Sequence, residues 1–223
     1  INEIAKIAKK IGAIFIVDGA QGIPHQSINV QELGCDFYAF SGHKMLGPTG
    51  IGSLWGRIEL LEEMDPFMGG GEMIETVTME SSTYNQVPYK FEAGTPNFIQ
   101  AVGLGAAIDY LDNLGMEKVT KHEQKLTGYA LEKMSNIENL KIFGSPKNRA
   151  GVISFNLGDI HAQDLAQFLN QDNIAIRVGH HCAQPLLSKL NETSVARLSF
   201  YVYNDKSDID LLCSSLNNII QYF

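Results

Sequence analysis

The sequence predicts an α/β protein, with a mostly parallel sheet covered by helices on both faces, followed by a small α+β domain. Two observations carry this prediction. Segments 13–17 and 36–40 are almost uniformly apolar and are separated by helical patterns, as expected for strands buried in a parallel sheet. From about residue 140, short strands interleave with helices, which is typical of a separate small domain. We therefore expect part of a large domain over residues 1–113 and a small domain over residues 114–223.

The composition narrows the class of function. The chain has 223 residues, with 17 Lys and Arg against 25 Asp and Glu, and it contains no basic cluster. This disfavours nucleic acid and anionic membranes as partners. No apolar stretch approaches the roughly 20 residues of a membrane helix. Three scattered cysteines do not make a disulfide framework, which indicates a reducing compartment. We expect the cytoplasm, with an organelle stroma or matrix as the alternative.

The first elements alternate between helix and strand. Apolar residues at positions 1, 4, 7, 8 and 11 predict a helix that ends at Gly12. The further elements expected here are strands at 13–17, 36–40 and 50–55 and short helices at 30–33 and 58–64. Three strands are few for such a sheet, and the chain starts inside this pattern without Met. We therefore interpret it as a fragment of a longer protein.

The remaining elements are longer helices and short strands. Gly69–Gly71 interrupts the alternation, and residues 72–88 predict a long loop or a hairpin. Two long helices are expected at 101–114 and 117–135. The small domain is then predicted to contain strands at 140–143, 152–156, 174–178 and 195–203 and helices at 162–170 and 205–221.

Asp18 and Lys44 follow two neighbouring predicted strands. Parallel strands bring such residues to one edge of a sheet, where open α/β sheets bind ligands. A Lys that forms a Schiff base with pyridoxal phosphate, and an Asp that faces the pyridine nitrogen, require this placement. The alternative for Asp18 is a structural cap on the following turn. Because Lys44 lies between a buried strand and the turn at 47–50, we expect it to be poorly solvated.

Three further polar residues surround this pair. Gln21 lies one turn after Asp18, and it can donate to the phenolic oxygen of the coenzyme. Ser41 and His43 flank the turn before Lys44, and both can donate to a phosphate. The segment Gly47-Pro48-Thr49-Gly50 superficially resembles a P-loop, but no Gly-Lys-Ser/Thr follows it and the next element is a strand.

A second cluster contains Cys182, with Arg177, His180 and His181 close in sequence. Zinc binding is disfavoured because a fourth ligand at metal spacing is absent. A buried structural cysteine is the alternative. The polar turn with nearby cationic groups favours a nucleophilic thiolate. We expect the other cysteines, Cys35 and Cys213, to be structural.

Arg197 lies within the predicted strand 195–203. Alternation places it on one face with Ser199 and Tyr201, opposite the apolar side chains of that strand. Its partner is either the carboxylate of a substrate, bound in a bidentate manner, or an acidic residue of its own domain. The sequence leaves both interpretations open.

Together, these motifs resemble those of the SufS-type group II cysteine desulfurases, in the class V aminotransferase branch of fold-type I pyridoxal-phosphate enzymes. The Gly-His-His-Cys-Ala segment followed by Pro-Leu favours group II over group I. The resemblance extends over the whole chain, and its four matching runs are Val17-Asp18-Gly19-Ala20-Gln21, Phe40-Ser41-Gly42-His43-Lys44, Phe91-Glu92-Ala93-Gly94-Thr95-Pro96-Asn97 and Arg177-Val178-Gly179-His180-His181-Cys182.

The resemblance implies a role in coenzyme binding for one group of residues. Lys44 would hold pyridoxal 5'-phosphate covalently and Asp18 would pair with its pyridine nitrogen. Gln21 would contact the phenolic oxygen. Ser41 and His43 would bind the phosphate.

It implies roles in the reaction for a second group. Cys182 would attack the sulfur of L-cysteine, forming a persulfide and releasing alanine. Arg197 would bind the substrate carboxylate, and Arg177 would lie near the cysteine. Thr95 would reach the phosphate in a neighbouring subunit, which implies a homodimer with shared sites.

The implied function is a cysteine desulfurase that supplies sulfur for iron–sulfur cluster assembly through a SufE- or SufU-like acceptor protein. A selenocysteine lyase on the same scaffold is the alternative. The family pattern also includes an N-terminal portion, with a His that stacks on the coenzyme and a phosphate-binding loop. Neither is present in this sequence. We therefore expect the 223 residues alone to bind coenzyme weakly and to turn over little or not at all.

Overall fold

The structure, a computed structural model, describes residues 1–145 and 149–222. The chain divides into two compact units. Unit 1 comprises Ile1–Glu117, and unit 2 begins at Lys118. In the described ranges, no helix is long and apolar enough to cross a membrane.

Unit 1 contains most of the helices and strands expected there. Its elements are α1 (Asn2–Ile11), β1 (Ile16–Asp18), α2 (Val30–Leu33), β2 (Phe37–Ser41), a 3-10 turn (Gly42–Lys44), β3 (Gly52–Gly56), α3 (Ile58–Glu63), the hairpin strands β4 (Ile74–Val77) and β5 (Ser82–Tyr84), a second 3-10 turn (Tyr89–Phe91) and α4 (Phe98–Leu114).

The main sheet of unit 1 has the order β1-β2-β3. β1 and β2 are parallel, with Asp18 opposite Ala39. β3 runs antiparallel to β2, with Ser41 opposite Gly52. A parallel pair needs a crossover of about a dozen residues or more, and the connection from Gly42 to Ile51 is too short for one. The α/β class is as predicted, but this part of the sheet is mixed.

The first helix buries only its small side chains. Ala5 and Ala8 are buried, whereas Ile4, Ile7 and Ile11 are 56%, 61% and 72% exposed. Gly12 ends α1 in a left-handed conformation, which glycine adopts without steric cost. The apolar stripe seen in the sequence therefore faces outward.

Unit 2 contains a four-stranded antiparallel sheet in the order β6-β7-β9-β8. Its elements are α5 (Met116–Met134, which begins in unit 1), β6 (Leu140–Phe143), β7 (Val152–Leu157), α6 (Ala162–Gln171), β8 (Arg177–Gly179), α7 (Gln184–Lys189), β9 (Val195–Ser199) and α8 (Lys206–Ile220).

Three elements of unit 2 differ from the prediction. The strand expected over 195–203 ends at Ser199, so Tyr201 lies outside β9. The expected strand 174–178 is replaced by a strand at 177–179, because only these three residues pair with β9. Ile174 and Ile176 pack against the core from the preceding loop. The helix α7 was not predicted. Its signal is Pro185 in the first turn, a position that proline favours.

One face of the unit 2 sheet carries the core. β7 alternates strictly, and its inward side chains, Ile153, Phe155 and Leu157, are at most 1% exposed. The helices that cover this face contribute further buried residues, among them Leu126, Ala130, Met134, Leu165, Leu169, Leu212 and Leu216. The opposite face of the sheet carries the polar side chains, among them Lys141, Ser154, Asn156, Arg177 and Arg197, together with Phe143 and Val195.

Candidate functional site

The carboxyl ends of β1 and β2 meet at one edge of the unit 1 sheet. Asp18 is the last residue of β1 and Ser41 is the last residue of β2. Because the two strands are parallel, this edge combines a carboxylate, a hydroxyl and the Lys44 turn. The strand arrangement is the one that the sequence predicted.

Asp18 is exposed, and its Oδ1 accepts a hydrogen bond from the Ala20 N–H at 2.9 Å. The structural alternative for this residue, a cap on the following turn, is thus realised. A carboxylate has about four lone-pair sites, so one such bond leaves capacity for a ligand. Gln21 is also exposed, on the same turn.

The Tyr38 ring packs against Gly19 in the turn that follows Asp18. The sequence analysis did not predict this contact. A Cβ on Gly19 would overlap the Tyr38 ring, so only glycine admits the ring there. The Tyr38 hydroxyl donates to the Gly19 carbonyl oxygen at 3.4 Å. Burial raises the pKa of Tyr38, and the charges of Cys35 and Asp18 add to this. In the sequence, this packing is indicated by Gly19, which directly follows Asp18 at the end of a strand.

The Lys44 turn is held by its backbone. The Gly42 N–H donates to the Ile51 carbonyl at 2.8 Å, and the Gly42 carbonyl accepts from the N–H groups of Met45 and Gly47 at 2.9 Å. Gly42 and Met45 are buried, but His43 and Lys44 are exposed. The expectation of a poorly solvated Lys44 is therefore wrong for this chain. In the described part of the chain, the Lys44 side chain is left open to solvent.

Helix α4 packs closely on this turn. A Cβ on Gly42 or Gly47 would lie 3.2 or 3.0 Å from Leu104 Cδ1, and one on Gly103 would lie 3.0 Å from Pro48 Cγ. These distances leave no room for larger side chains without movement.

The loop before α4 reaches the same region. Asn97, directly before the helix, donates from Nδ2 to the Gly50 carbonyl at 2.8 Å. Thr95, two residues earlier, is exposed.

In unit 2, Arg177 and Arg197 lie directly opposite each other on β8 and β9. Ser154 of β7 flanks Arg197 on the other side. Arg197 Nε is buried and has no hydrogen-bond partner. Like charges directly opposite each other are destabilising, and an unpaired buried donor is costly. Within residues 1–145 and 149–222, no acidic side chain pairs with Arg197 Nε. This face of the sheet is therefore suited to bind an anion, which would offset both costs.

The Cys182 turn follows β8. Of the three cysteines, Cys182 is exposed while Cys35 and Cys213 are buried. Burial raises the pKa values of Cys35 and Cys213, which keeps both as neutral thiols. His181 and Cys182 have φ values of 50° and 59°. The accessible thiol therefore lies on a turn with an uncommon backbone conformation.

His181, which the sequence analysis treated only as a candidate zinc ligand and a neighbour of the thiol, contacts the strand β9. Its Nε2 lies 3.1 Å from the Val195 carbonyl oxygen, and its Nδ1 is buried without a partner. Burial lowers the pKa of His181, and Arg197, Arg177 and His180 lower it further. Over the described residues, no group of three or more His, Cys, Asp and Glu side chains forms a metal-binding cluster.

The predicted site residues thus fall into two sets. Unit 1 carries the set with an amine, carboxylate, hydroxyl, imidazole and amide, namely Asp18, Gln21, Ser41, His43, Lys44 and Thr95. Unit 2 carries the set with a thiol and two guanidinium groups, namely Arg177, Cys182 and Arg197.

Comparison with known proteins identifies the family of this chain. A family model described as aminotransferase class-V matches residues 1–212. A probable cysteine desulfurase of Halalkalibacterium halodurans is 53% identical over 223 residues, covering 100% of this chain and 55% of the relative. Another, from Streptomyces coelicolor, is 50% identical over 225 residues, covering 100% and 54%.

Solved structures of cysteine desulfurases are also similar to this chain. The cysteine desulfurase CsdA of Escherichia coli, in an S-sulfonic acid form, superposes with a TM-score of 0.93 at 38% identity, over 98% of this chain and 54% of that one. A cysteine desulfurase of Thermococcus onnurineus gives 0.95 at 39% identity, over 100% and 56%. The chain thus spans little more than half the length of these relatives.

Proposed function

The chain belongs to the class V aminotransferase family, and on that premise we propose that it is part of a pyridoxal-phosphate-dependent cysteine desulfurase. The activity belongs to the full-length protein, because relatives that bear this name are nearly twice as long as the chain. The overall reaction converts L-cysteine into L-alanine and leaves the sulfur on Cys182 as a persulfide.

The donor set of unit 1 fits the coenzyme. Lys44 offers an exposed primary amine, and Asp18 offers a carboxylate at the same sheet edge. When bound, pyridoxal phosphate supplies an electron sink for charge that develops at the substrate α-carbon. Lys44 Nζ would hold the coenzyme covalently, and its amine would be the group that accepts the α-proton of the substrate. The Asp18 carboxylate keeps a proton on the ring nitrogen.

Three other unit 1 residues hold the remaining polar groups. Ser41 and His43 would donate to the phosphate, and Gln21 would donate to the phenolic oxygen. Thr95 donates to the phosphate bound by a second subunit, so that a homodimer shares its sites. The exposure of Thr95 supports this role, because a residue that reaches another subunit cannot be buried within its own.

Unit 2 supplies the sulfur chemistry. The Arg197 guanidinium binds the substrate carboxylate through two parallel hydrogen bonds, with Arg177 adding positive charge. The Cys182 thiolate attacks the substrate sulfur. An S–S bond forms as the C–S bond breaks, and the α- and β-carbons take up protons to give alanine. Each turnover consumes one cysteine and needs no external oxidant.

We further propose that the enzyme is of the SufS-type group II and supplies sulfur for iron–sulfur cluster assembly in the cytoplasm. The persulfide passes to the thiol of a SufE- or SufU-like acceptor protein. The exposure of Cys182 supports this step, because the acceptor thiol must reach the terminal sulfur.

The observation that carries the proposal is the exposed Cys182 on the turn after β8, in the same unit as the opposed pair Arg177 and Arg197. Among the described residues, the buried Nε of Arg197 has no partner. The test is to incubate the full-length protein and coenzyme with L-cysteine. Alanine should appear, and mass spectrometry should find one extra sulfur atom on the peptide that contains Cys182. Alanine production without sulfur on this peptide contradicts the proposal.

A further inference from the structure

The turn that carries Cys182 adopts a conformation that needs support. β8 ends at Gly179, and the chain then passes through two consecutive non-glycine residues with positive φ, His181 at 50° and Cys182 at 59°. Histidine is among the few non-glycine residues enriched in this region, but cysteine is not, and two consecutive non-glycine residues there are uncommon. Such backbone strain persists only where surrounding contacts maintain it.

One of those contacts is the hydrogen bond between His181 Nε2 and the Val195 carbonyl oxygen, at 3.1 Å. Val195 lies opposite Gly179, the last pair of the β8–β9 ladder. The imidazole therefore adds a side-chain hydrogen bond immediately beyond the point where the ladder ends. It ties the residue next to Cys182 to the strand that carries Arg197.

The chemistry of this bond defines the tautomer. A carbonyl oxygen can only accept, so Nε2 carries the hydrogen and Nδ1 is the unprotonated nitrogen of a neutral ring. Nδ1 is buried without a partner, which also disfavours a proton there. Burial lowers the pKa of His181, and the charges of Arg197, Arg177 and His180 lower it further. The ring is thus neutral near pH 7 and acts as a single N–H donor.

The other end of the segment is anchored separately. Glu192 accepts hydrogen bonds from Lys141 Nζ at 2.6 Å and from Asn156 Nδ2 at 2.9 Å. Asn156 Nδ2 also donates to the Ser194 carbonyl at 3.2 Å. Residues 180–194 are therefore held at both ends, and His181 is the anchor next to the sulfur.

We propose that His181 is a positioning residue whose Nε2–H bond to the Val195 carbonyl maintains the left-handed turn that presents the Cys182 sulfur. The inference rests on the proposed function for its effect on turnover. The effect on the turn itself is independent of the reaction.

The experiment compares two variants of the full-length holoenzyme. In His181→Gln the amide nitrogen takes the place of Nε2, so the hydrogen bond can be kept. In His181→Asn the amide reaches only to the place of Nδ1, so the bond is lost. His180→Asn, at an exposed neighbouring imidazole, is the matched control for backbone exchange.

Backbone hydrogen exchange is the first measurement, without substrate. The Ala183 amide, which donates to the His180 carbonyl at 2.8 Å, reports on the turn. In His181→Asn its exchange should accelerate about tenfold or more, while peptides of β7 and α6 stay protected. In His181→Gln and His180→Asn it should stay within about twofold of wild type. The apparent Tm should be unchanged in all three variants.

Turnover is the second measurement. His181→Asn should lower kcat about 10- to 100-fold with little change in KM, because a displaced nucleophile loses reactivity while the carboxylate site is intact. His181→Gln should recover most of it. A His181→Asn variant with wild-type exchange overturns the proposal. A loss of protection that extends to β7 and α6 also overturns it. The same holds if His181→Gln lowers kcat as much as His181→Asn does while its Tm is unchanged. If wild-type protein makes no alanine, the proposed function fails, while the exchange result still decides the role of His181.

Discussion

The two units of the chain differ in how completely they bury their apolar residues. In unit 2, one face of the sheet and its helices enclose a continuous core, and Leu165, Leu169 and Leu216 are fully buried. In unit 1, the apolar stripe of α1 and the side chain of Ile16 on β1 are exposed. Contiguous exposed apolar side chains are a feature of surfaces that pack against further protein. Within the described residues, these side chains have no covering layer like that of unit 2.

The difference matters because each unit carries one half of the proposed chemistry. The thiol and the two arginines lie on a unit with a complete core. The coenzyme residues, Asp18 and Lys44, lie at an edge that is still open to solvent. We infer that sulfur transfer is built into unit 2, whereas a closed coenzyme site requires more than unit 1.

Lys44→Ala should produce the largest effect. Without the amine, the coenzyme loses its covalent attachment, and kcat should fall by about 10³-fold or more with every substrate. The measurement is alanine release, with the near-visible absorbance of bound coenzyme as a second readout. Lys10→Ala, at an exposed lysine of α1, is the control. Wild-type absorbance and turnover in the Lys44 variant rule out the assignment of unit 1 to the coenzyme.

Cys182→Ser should lose cysteine turnover by a similar factor, about 10³-fold, but retain bound coenzyme, because the nucleophile lies on the other unit. The same variant separates the alternative functions. We expect alanine release from selenocysteine to persist and that from cysteine to disappear. Equal loss of both activities counts against a role for Cys182 that is specific to sulfur.

Arg197→Met tests whether the arginine pair serves a ligand rather than the fold. Removing a charge-assisted bond to the carboxylate should raise KM for cysteine about 10- to 100-fold. The free energy of unfolding should stay the same or rise by up to about 1 kcal/mol, since repulsion from Arg177 and an unpaired Nε are removed. Chemical denaturation measures this. A marked loss of stability indicates an internal structural partner for Arg197.

Gly19→Ala should destabilise unit 1 alone. The added methyl group overlaps the Tyr38 ring, so the unfolding free energy should fall by about 1–3 kcal/mol and coenzyme affinity should weaken. Gly105→Ala is the matched control, because nothing lies within 4 Å of its new Cβ. This substitution in α4 should be neutral or stabilising by up to about 1 kcal/mol. If both variants behave alike, Tyr38 does not hold the Asp18 turn.

The smallest effect concerns Asp205, which forms a capping box with Asp208 at the start of α8. Hydrogen bonds from the Ser207 hydroxyl and N–H lower the pKa of Asp205. A carboxylate with a lowered pKa contributes stability above its unfolded pKa, and this contribution is lost as the pH falls through the folded pKa. Asp205→Asn keeps a good cap without a charge. Below about pH 4, the variant's unfolding midpoint should therefore depend less on pH than that of wild type.

The sequence predicted what depends on local pattern. Alternation placed Arg197 opposite the buried side chains of β9, and the apolar strands placed Asp18 near the Lys44 turn. It failed where tertiary contacts decide. The run Ile174-Ala175-Ile176 looks like a strand but packs against the core as a loop. The solvation of Lys44 depends on what covers the sheet edge. The left-handed backbone conformation of His181 and Cys182 is not indicated by a glycine or asparagine in the sequence.

The contrast between one exposed and two buried cysteines also has a practical consequence for handling the protein. Cys182 is the thiol that air and peroxide can reach, so oxidation during storage should proceed there through sulfenic to sulfonic acid. Because the turn lies outside the core, circular dichroism should not register the damage. An inactive preparation can therefore look well folded, and its intact mass, rather than its melting curve, is the relevant quality control.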